Sequence, residues 1–195
     1  MAETYAGVKF RTKFIAKEIP KDKRIEKLKK WCRIFSKKGF SPPYGTGSAG
    51  NLSFRIKKNT HSFVITAANT KLDKKTKDED FVIVKSVNMK KKIVFCIGMK
   101  KPSSESILHY LIYKSRKDAN SVLHAHCRKI SKNAAKLKII ETKKEYPYGT
   151  VKLAKSVLEI IENEKFIEMK NHGFVSLGKN IDEAGNLALR LYQKC

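Results

Sequence analysis

Two histidines separated by one residue, His124 and His126, stand in a short apolar segment at residues 121–126. This segment is predicted to be a β-strand. Because side chains alternate between the faces of a strand, the two imidazoles point the same way. Two imidazoles held in parallel on a stiff backbone form half of a site for a divalent metal ion. A pair of this kind also arises from one exposed and one hydrogen-bonded core histidine, so the residues around the pair decide between the two interpretations.

Two further groups of polar residues favour the metal site. Upstream, Ser103, Ser104 and Glu105 place two hydroxyls and a carboxylate just before an apolar helical run, with Ser103 or Ser104 as the predicted N-cap. The N-terminus of such a helix directs backbone N–H groups and a positive dipole end at a nearby anion. Downstream, a third histidine, His172, stands in a predicted tight turn at residues 171–173. A carboxylate and a third imidazole are the groups that a half-site of two histidines lacks.

A glycine-rich segment at residues 41–55 is predicted to be a loop, because two prolines are followed by Gly45, Gly47 and Gly50. Free backbone N–H groups in such a loop can bind an anion, although glycine-rich loops are more often simply turns. No Gly-Lys-Ser/Thr sequence follows, which argues against a P-loop. A second loop is predicted at residues 67–70.

Length and composition indicate one globular domain, residues 1–195. The chain is 41% hydrophobic and 31% charged, which is typical of a folded protein. No apolar run approaches the ~20 residues of a membrane span, and the N-terminus lacks the apolar core of a signal peptide, so a cytoplasmic location is expected. The four cysteines are scattered without a Cys-x-x-Cys pair, which suits a reducing compartment.

The formal charge of +25 predicts attraction to polyanions at low salt. Lysines make up 36 of the 43 basic residues, whereas arginine is the usual residue for bidentate phosphate and base contacts. No aromatic RNA-binding motif or recognition helix accompanies the lysines. We therefore expect no specific nucleic-acid partner.

Hydrophobic periodicity predicts a layered α/β/α domain with a central, mainly antiparallel sheet. Closely spaced strands argue against a doubly wound parallel sheet. Helices are predicted at residues 22–40, after 104, at 129–136, at 151–161 with a cap near Thr150, and at 183–194 with Asp182 as the cap. Strands are predicted at residues 8–14, 52–56, 62–66, 81–84, 93–97, 121–126, 137–140, 166–169 and 174–177.

Taken together, the motifs Gly50-Asn51, Pro-Ser-Ser-Glu at 102–105, His-x-His at 124–126 and Asn-His-Gly at 171–173 resemble the class II aldolase/adducin-head family. The resemblance runs from about residue 25 to the C-terminus and is strongest to fuculose-1-phosphate aldolase-like members. Residues 1–20 have no clear counterpart in that family and are interpreted as an N-terminal extension. The resemblance implies a central, mainly antiparallel sheet and a homotetramer with active sites at subunit interfaces.

The resemblance also implies roles for individual residues. His124, His126 and His172 would bind Zn²⁺, and Glu105 would close the metal site in the free enzyme and act as the acid/base when substrate displaces it. The positions that match the family's phosphate site are Gly50, Asn51, Ser103 and Ser104. Where aldolase relatives carry Thr-Gly or Ser-Gly in a second phosphate loop, this chain has Ala68-Asn69, so Asn69 or Thr70 would replace the lost hydroxyl.

The expected activity is zinc-dependent cleavage of a ketose 1-phosphate, a phosphorylated sugar, into dihydroxyacetone phosphate and an aldehyde. A dehydratase resembling methylthioribulose-1-phosphate dehydratase stays open, since those relatives keep the glutamate. The epimerase relatives carry Asp in place of Glu105, which counts against that reaction. A non-catalytic adducin-like domain is disfavoured because adducin heads have lost the ligands that this sequence keeps.

Three other residues with reactive side chains are predicted to lie outside the metal site. His109 follows Glu105 by one helical turn and is either packed in the core or placed behind the metal ligands; we favour packing. His61 is predicted to be at the surface. Cys127 is expected to face away from the two histidines as a small core residue.

Overall fold

The computed structural model describes residues 6–195, so the part of the predicted N-terminal extension at residues 1–5 lies outside the described residues. In chain order the strands are β1 (Arg11–Ala16), β2 (Pro43–Tyr44), β3 (Gly47–Ser48), β4 (Asn51–Arg55), β5 (Phe63–Thr66), β6 (Phe81–Asn88), β7 (Ile93–Ile97), β8 (Ser121–Ala125), β9 (Ile140–Glu141), β10 (Phe166–Met169) and β11 (Gly173–Gly178). The helices are α1 (Ile25–Lys37), α2 (Ser106–Ser115), α3 (Arg128–Lys132), α4 (Val151–Leu158) and α5 (Ile181–Gln193). Across residues 6–195, none of the helices is both long enough and apolar enough to pass through a bilayer.

Nine strands form one sheet in the order β1-β7-β6-β5-β4-β8-β11-β10-β9. The two pairs at the edges, β1–β7 and β9–β10, are parallel, and the pairs between them are antiparallel. The predicted mainly antiparallel sheet is confirmed. β8 lies near the middle, where His124 is in register with Asn51 of β4 and Val175 of β11.

Helices cover both faces of this sheet. Leu123 of β8 belongs to an apolar cluster that contains side chains of α1 and α5. Its neighbour Val122 faces the other way, into a second cluster with side chains of α2 and α4. A strand buried on both faces needs apolar residues at consecutive positions, which explains why Val122 and Leu123 are both apolar. The layered α/β/α arrangement is confirmed.

The predicted cap of α2 is wrong. The helix begins at Ser106 with Glu105 at the N-cap position, and no side chain caps it. Ser103 and Ser104 lie in the turn before the helix, where the Ser106 amide donates to the Ser103 carbonyl at 3.0 Å. The carboxylate, rather than a serine hydroxyl, therefore stands at the helix end.

The predicted cap of α5 is also wrong. Asn180, not Asp182, occupies the N-cap, and its side-chain oxygen accepts from the Glu183 amide at 2.9 Å. The Asp182 side chain instead contacts α1, where it accepts a hydrogen bond from the Trp31 indole N–H at 2.9 Å and forms an ion pair with Lys27. The cap predicted near Thr150 is confirmed, since its hydroxyl accepts from the Leu153 amide.

The elements at the two edges of the sheet differ in extent from their predictions. β1 starts at Arg11, later than the predicted strand at 8–14, and pairs in parallel with β7. On the opposite edge, the strand predicted at 137–140 is reduced to β9, and the helix predicted at 129–136 is reduced to α3. The two residues of β9 pair with Ile167 and Glu168 of β10.

Candidate metal and active site

Three imidazoles meet at one end of β8. His124 is the fourth residue of β8, His126 directly follows the strand, and His172 stands in the turn between β10 and β11. The Nε2 atoms of His124 and His126 are 3.1 Å apart, and the His124 and His172 rings stack with centroids 5.1 Å apart. One nitrogen from each of the three rings lies within 4.8 Å of the others, so a single ion can contact all three.

Gly173 allows the turn to bring His172 this close. Its φ of 147° is in the region that favours glycine, and an added Cβ would lie 2.5 Å from the Ala125 carbonyl oxygen and 3.2 Å from the His126 ring. A side chain at this position would push the turn away from β8. The absence of one therefore keeps the third imidazole beside the other two.

Glu105 joins the three imidazoles from the start of α2. Its Oε1 lies 2.9 Å from His172 Nε2, and its Oε2 lies 3.0 Å from His124 Nε2. Oε2 also accepts a hydrogen bond from the Asn51 side-chain amide at 2.9 Å. Only 4% of Glu105 is exposed. One buried carboxylate thus bridges β4, β8 and the β10–β11 turn.

The environment sets the ionisation of these groups. Burial lowers the pKa of His124 and, together with the two neighbouring imidazoles, holds the pKa of His126 well below its usual range. Burial raises the pKa of the Glu105 carboxyl, but His124 and His172 together with the hydrogen bonds from His172 and Asn51 outweigh burial and hold that pKa well below its usual range. The lowered pKa values of His124 and His126 favour the neutral imidazole, and the lowered pKa of Glu105 favours the carboxylate, and these are the forms that bind metal ions.

The donor atoms fit a divalent cation. His124 Nδ1 donates to the Phe174 carbonyl at 2.8 Å, so in the neutral ring Nε2 carries the lone pair. That lone pair faces the Glu105 Oε2 atom at 3.0 Å. Two electron-rich atoms in contact are stabilised by a cation between them, and three nitrogens with one carboxylate oxygen form a common set of ligands for such an ion.

The glycine-rich segment forms the β2–β3 hairpin and a tight approach to β8. A Cβ on Gly50, whose φ is 89°, would lie 2.7 Å from the His124 carbonyl oxygen. A Cβ on Gly47 would lie 2.5 Å from the Asn69 backbone. The segment is thus held between the loop at 67–70 and the strand that carries the histidines.

The remaining predicted site residues lie around this cluster. Ser103 and Ser104 are buried between the loop at 67–70 and the start of α2, and the Ser103 hydroxyl accepts from the Glu105 amide at 3.3 Å. Asn69 is exposed, with a φ of 59°. The Asn51 side chain is turned to Glu105, and its Oδ1 has no partner among the described residues. The sequence motifs did not predict the hydrogen bond from Asn51 to Glu105, because the two residues are far apart in the chain.

The three residues that were expected outside the cluster, His109, His61 and Cys127, do lie outside it. His109 is packed in the core, where its Nδ1 lies 2.7 Å from the Ser53 hydroxyl, and burial lowers its pKa to about 3. His61 is exposed and Cys127 is buried. These predictions are confirmed. The spacing of Glu105 and His109 therefore reflects core packing behind the site.

Comparison of the chain with known proteins identifies the family to which it belongs. The model of the Class II Aldolase and Adducin N-terminal domain matches residues 26–195. The chain belongs to the class II aldolase and adducin N-terminal domain family. Residues 6–25, which include β1, precede the matched region.

Individual relatives are named as enzymes of sugar phosphates. An L-fuculose phosphate aldolase of Methanococcus maripaludis is 32% identical over 169 residues, covering 80% of this chain and 84% of the relative. A methylthioribulose-1-phosphate dehydratase of Bacillus pumilus is 27% identical, covering 76% and 86%. A solved structure of an L-fuculose 1-phosphate aldolase superposes with a TM-score of 0.72 at 21% identity, covering 90% of this chain and 86% of that one. The superposition supports the fold, and the relatives support an enzyme.

Proposed function

We propose that this protein is a zinc-dependent aldolase that reversibly cleaves a ketose 1-phosphate of the fuculose 1-phosphate type into dihydroxyacetone phosphate and an aldehyde. The observation that carries the proposal is the Glu105 carboxylate, which lies within 3.0 Å of nitrogens of both His124 and His172. A carboxylate beside a cluster of imidazoles supplies both an ion-binding site and a base. The named aldolase of Methanococcus maripaludis supports the choice of reaction.

His124, His126 and His172 are the proposed zinc ligands, and Glu105 would be a fourth, replaceable ligand. Three imidazoles with one replaceable ligand match catalytic rather than structural zinc sites. When bound, zinc supplies Lewis-acid polarisation of the substrate carbonyl and stabilises the negative charge that develops there.

Glu105 is the proposed acid/base. In the direction of synthesis it removes a proton from the reacting carbon of dihydroxyacetone phosphate, and in the direction of cleavage it returns that proton. The hydrogen bond from the Asn51 side chain orients the carboxylate for this proton transfer.

Gly50, Asn51, Asn69, Ser103 and Ser104 are the proposed phosphate-binding residues. The two serines precede α2, a helix of ten residues, whose N-terminal amides and dipole favour an anion. The loop at 67–70 and the glycine-rich segment are in contact through Gly47 and Asn69. Polar groups from these three segments would contact a phosphate without the use of a buried cation.

The proposal also covers the oligomeric state of the protein and its location in the cell. We propose a homotetramer with active sites at subunit interfaces, as the family resemblance implies, acting on its phosphorylated sugar in the cytoplasm. The elution volume of the zinc-loaded protein in size-exclusion chromatography with light scattering tests the tetramer.

A second candidate reaction is dehydration of a sugar phosphate on the same scaffold. The relative from Bacillus pumilus that is named as a methylthioribulose-1-phosphate dehydratase favours it, and a glutamate at position 105 is compatible with it. An epimerase is less well supported, since those relatives carry aspartate at this position. A non-catalytic adducin-like role is opposed by the four converging ligand groups.

The test is a retro-aldol assay on zinc-loaded protein with fuculose 1-phosphate and related ketose 1-phosphates, with coupled detection of dihydroxyacetone phosphate. We expect activity that a chelator abolishes and zinc restores. Release of water from methylthioribulose 1-phosphate, with no dihydroxyacetone phosphate from any substrate, would support the dehydratase instead.

A further inference from the structure

A cavity of about 370 Å³ opens beside the exposed end of the proposed phosphate site. Its walls come from three segments of the chain: Gly7 and Val8, Ala68 and Asn69, and Lys100 and Lys101. The first segment precedes residue 26, where the family match begins. One wall of this cavity is therefore built from a part of the chain that the family pattern does not include.

One of the segments that line the cavity leads directly into the serines that precede α2. Residues 101–103 run antiparallel to the loop at 67–70: the Ala68 amide donates to the Lys101 carbonyl at 2.9 Å, and Ala67 forms a β-bridge with Pro102. In an extended segment, side chains two residues apart point to the same side. Lys101 therefore lies on the same side of the chain as Ser103, one step further towards solvent.

The two adjacent lysines differ in their partners. The Lys100 ammonium pairs with Asp80 Oδ1 at 2.7 Å and with Glu79 Oε1 at 3.3 Å. Lys101 is exposed and makes no ion pair with any residue in the range 6–195. The charge of Lys101 is thus available for an anion in the cavity, whereas that of Lys100 is already compensated.

The wall at residues 7–8 is held in place by a buried tyrosine. The Tyr148 hydroxyl accepts from the Ala6 amide at 2.6 Å and donates to the Gly7 carbonyl at 3.1 Å. The Lys9 ammonium lies 3.9 Å from the centre of the Tyr148 ring. Tyr148 is only 4% exposed, so the start of the described chain is fixed to the body of the protein at this point.

The geometry points to Lys101 as the residue that supplies the positive charge for the phosphate of the substrate, with the loop at Asn69 beside it and residues 7–8 as the outer wall. This inference rests on the proposed function. It assigns the substrate's phosphomonoester to a pocket that is closed by the chain's own N-terminal extension. A dianion in a partly enclosed space next to an uncompensated ammonium is stabilised by charge-assisted hydrogen bonding.

The main test compares Lys101→Ala with Lys100→Ala, which removes the same formal charge from the paired neighbour. The zinc-loaded variants are assayed for kcat and KM, and their binding of dihydroxyacetone phosphate is titrated by ³¹P NMR, with dihydroxyacetone as the ligand that lacks a phosphate. We expect Lys101→Ala to raise KM for the ketose 1-phosphate and Kd for dihydroxyacetone phosphate about five- to tenfold, with kcat within about twofold.

Two control variants sharpen this test. Lys101→Arg should restore most of the affinity for dihydroxyacetone phosphate, and Lys100→Ala should change that affinity less than about twofold. Equal losses in the two alanine variants, or none, would overturn the assignment.

The role of residues 7–8 as the outer wall of the pocket is tested by hydrogen exchange, without a substitution. Amide hydrogen exchange of residues 6–10 is measured with and without saturating dihydroxyacetone phosphate. We expect slower exchange with the ligand, because a phosphate in the cavity restricts opening of the segment. Exchange that is the same in both conditions would remove residues 7–8 from the pocket.

The binding titration separates this inference from the proposed reaction. Binding of dihydroxyacetone phosphate that depends on Lys101, in protein that cleaves no ketose 1-phosphate, would overturn the aldolase and support the phosphate pocket. Normal cleavage with unaltered KM and Kd in Lys101→Ala would overturn the pocket and support the aldolase. Wild-type protein that neither cleaves a ketose 1-phosphate nor binds dihydroxyacetone phosphate would overturn both.

Discussion

Glu105 and Glu168 are both buried, with 4% and 1% of each residue exposed, yet their surroundings drive their pKa values in opposite directions. Glu105 has His124, His172 and Asn51 within hydrogen-bonding distance, and its pKa is well below the usual range. Glu168 accepts from the Ser131 hydroxyl, its Oε2 has no partner within residues 6–195, and burial raises its pKa to about 7. Burial alone favours the neutral acid, whereas His124, His172 and the hydrogen bond from Asn51 favour the ionised form of Glu105. The opposite pKa shifts of these two buried glutamates therefore distinguish the proposed ion-binding base, Glu105, from a buried acid outside the site, Glu168.

The largest effect is expected when Glu105 loses its ability to carry a proton. Glu105→Gln should lower kcat about 10²- to 10⁴-fold while the protein keeps its fold and most of its metal, because a positioned acid/base contributes about that much. Glu168→Gln is the matched control and should stay within a few-fold of wild type. Near-normal turnover in Glu105→Gln would mean that another group moves the proton.

Metal binding should depend on His124 nearly as strongly. His124→Ala removes the imidazole that is fixed by the Phe174 carbonyl, so zinc affinity should fall by at least about a hundredfold. The zinc content after dialysis, measured by atomic absorption, checks this expectation. His61→Ala, a change at the surface, should keep the wild-type content. Equal zinc content in the two variants would contradict the ligand assignment.

Glu168 should make the stability of the protein depend on pH. Its pKa rises from 4.5 to about 7 on folding, so the folded state binds the proton more tightly. The stabilisation is fully present below pH ~4.5 and is lost as the pH rises through ~7, on the order of 2 kcal/mol. Glu168→Gln should remove this dependence in urea unfolding at pH 5 and pH 8, whereas Glu141→Gln on the neighbouring strand should largely keep it. A Glu168→Gln protein with the wild-type pH dependence would refute the assignment.

The smallest of these effects is expected at Asn51. Asn51→Ala removes the hydrogen bond that orients the Glu105 carboxylate, and kcat should fall about tenfold. Zinc content should stay close to that of wild type, since the imidazoles are untouched. A loss of zinc with unchanged kcat per bound metal would show that Asn51 supports the ion-binding geometry rather than the base.

Local spacing predicted that His124 and His126 lie on one side of a strand, whereas the family resemblance added His172 and Glu105 to them. The alternation of a strand places His124 and His126 on one side, and a turn with Gly173 predicts a tight return for His172. The strands on both sides of β8 followed from apolar periodicity. These features depend on residues that are near each other in the chain, and sequence patterns report such spacing directly.

Contacts between distant segments set the features that the sequence did not predict. Ser103 looked like a cap, but it pairs with Thr66 at the end of β5, and its hydroxyl accepts from the Glu105 amide in the turn before α2. Asp182 looked like a cap, but the Trp31 indole and Lys27 on another helix attract it. The hydrogen bond from Asn51 to Glu105 and the raised pKa of Glu168 have the same origin. The pattern of residues along a chain does not show which distant group a polar side chain will contact.

The position of β8 has a consequence for how long an ion would stay bound. His124 is tied through its backbone to β4 on one side and to β11 on the other, near the middle of nine strands. Central strands of this kind open only with free energies close to that of global unfolding. Release of an ion from the proposed site would therefore begin with side-chain movements of Glu105 or of His172 in its turn, which require no opening of the sheet. These movements would set the residence time of the ion, while the central strands would set its position.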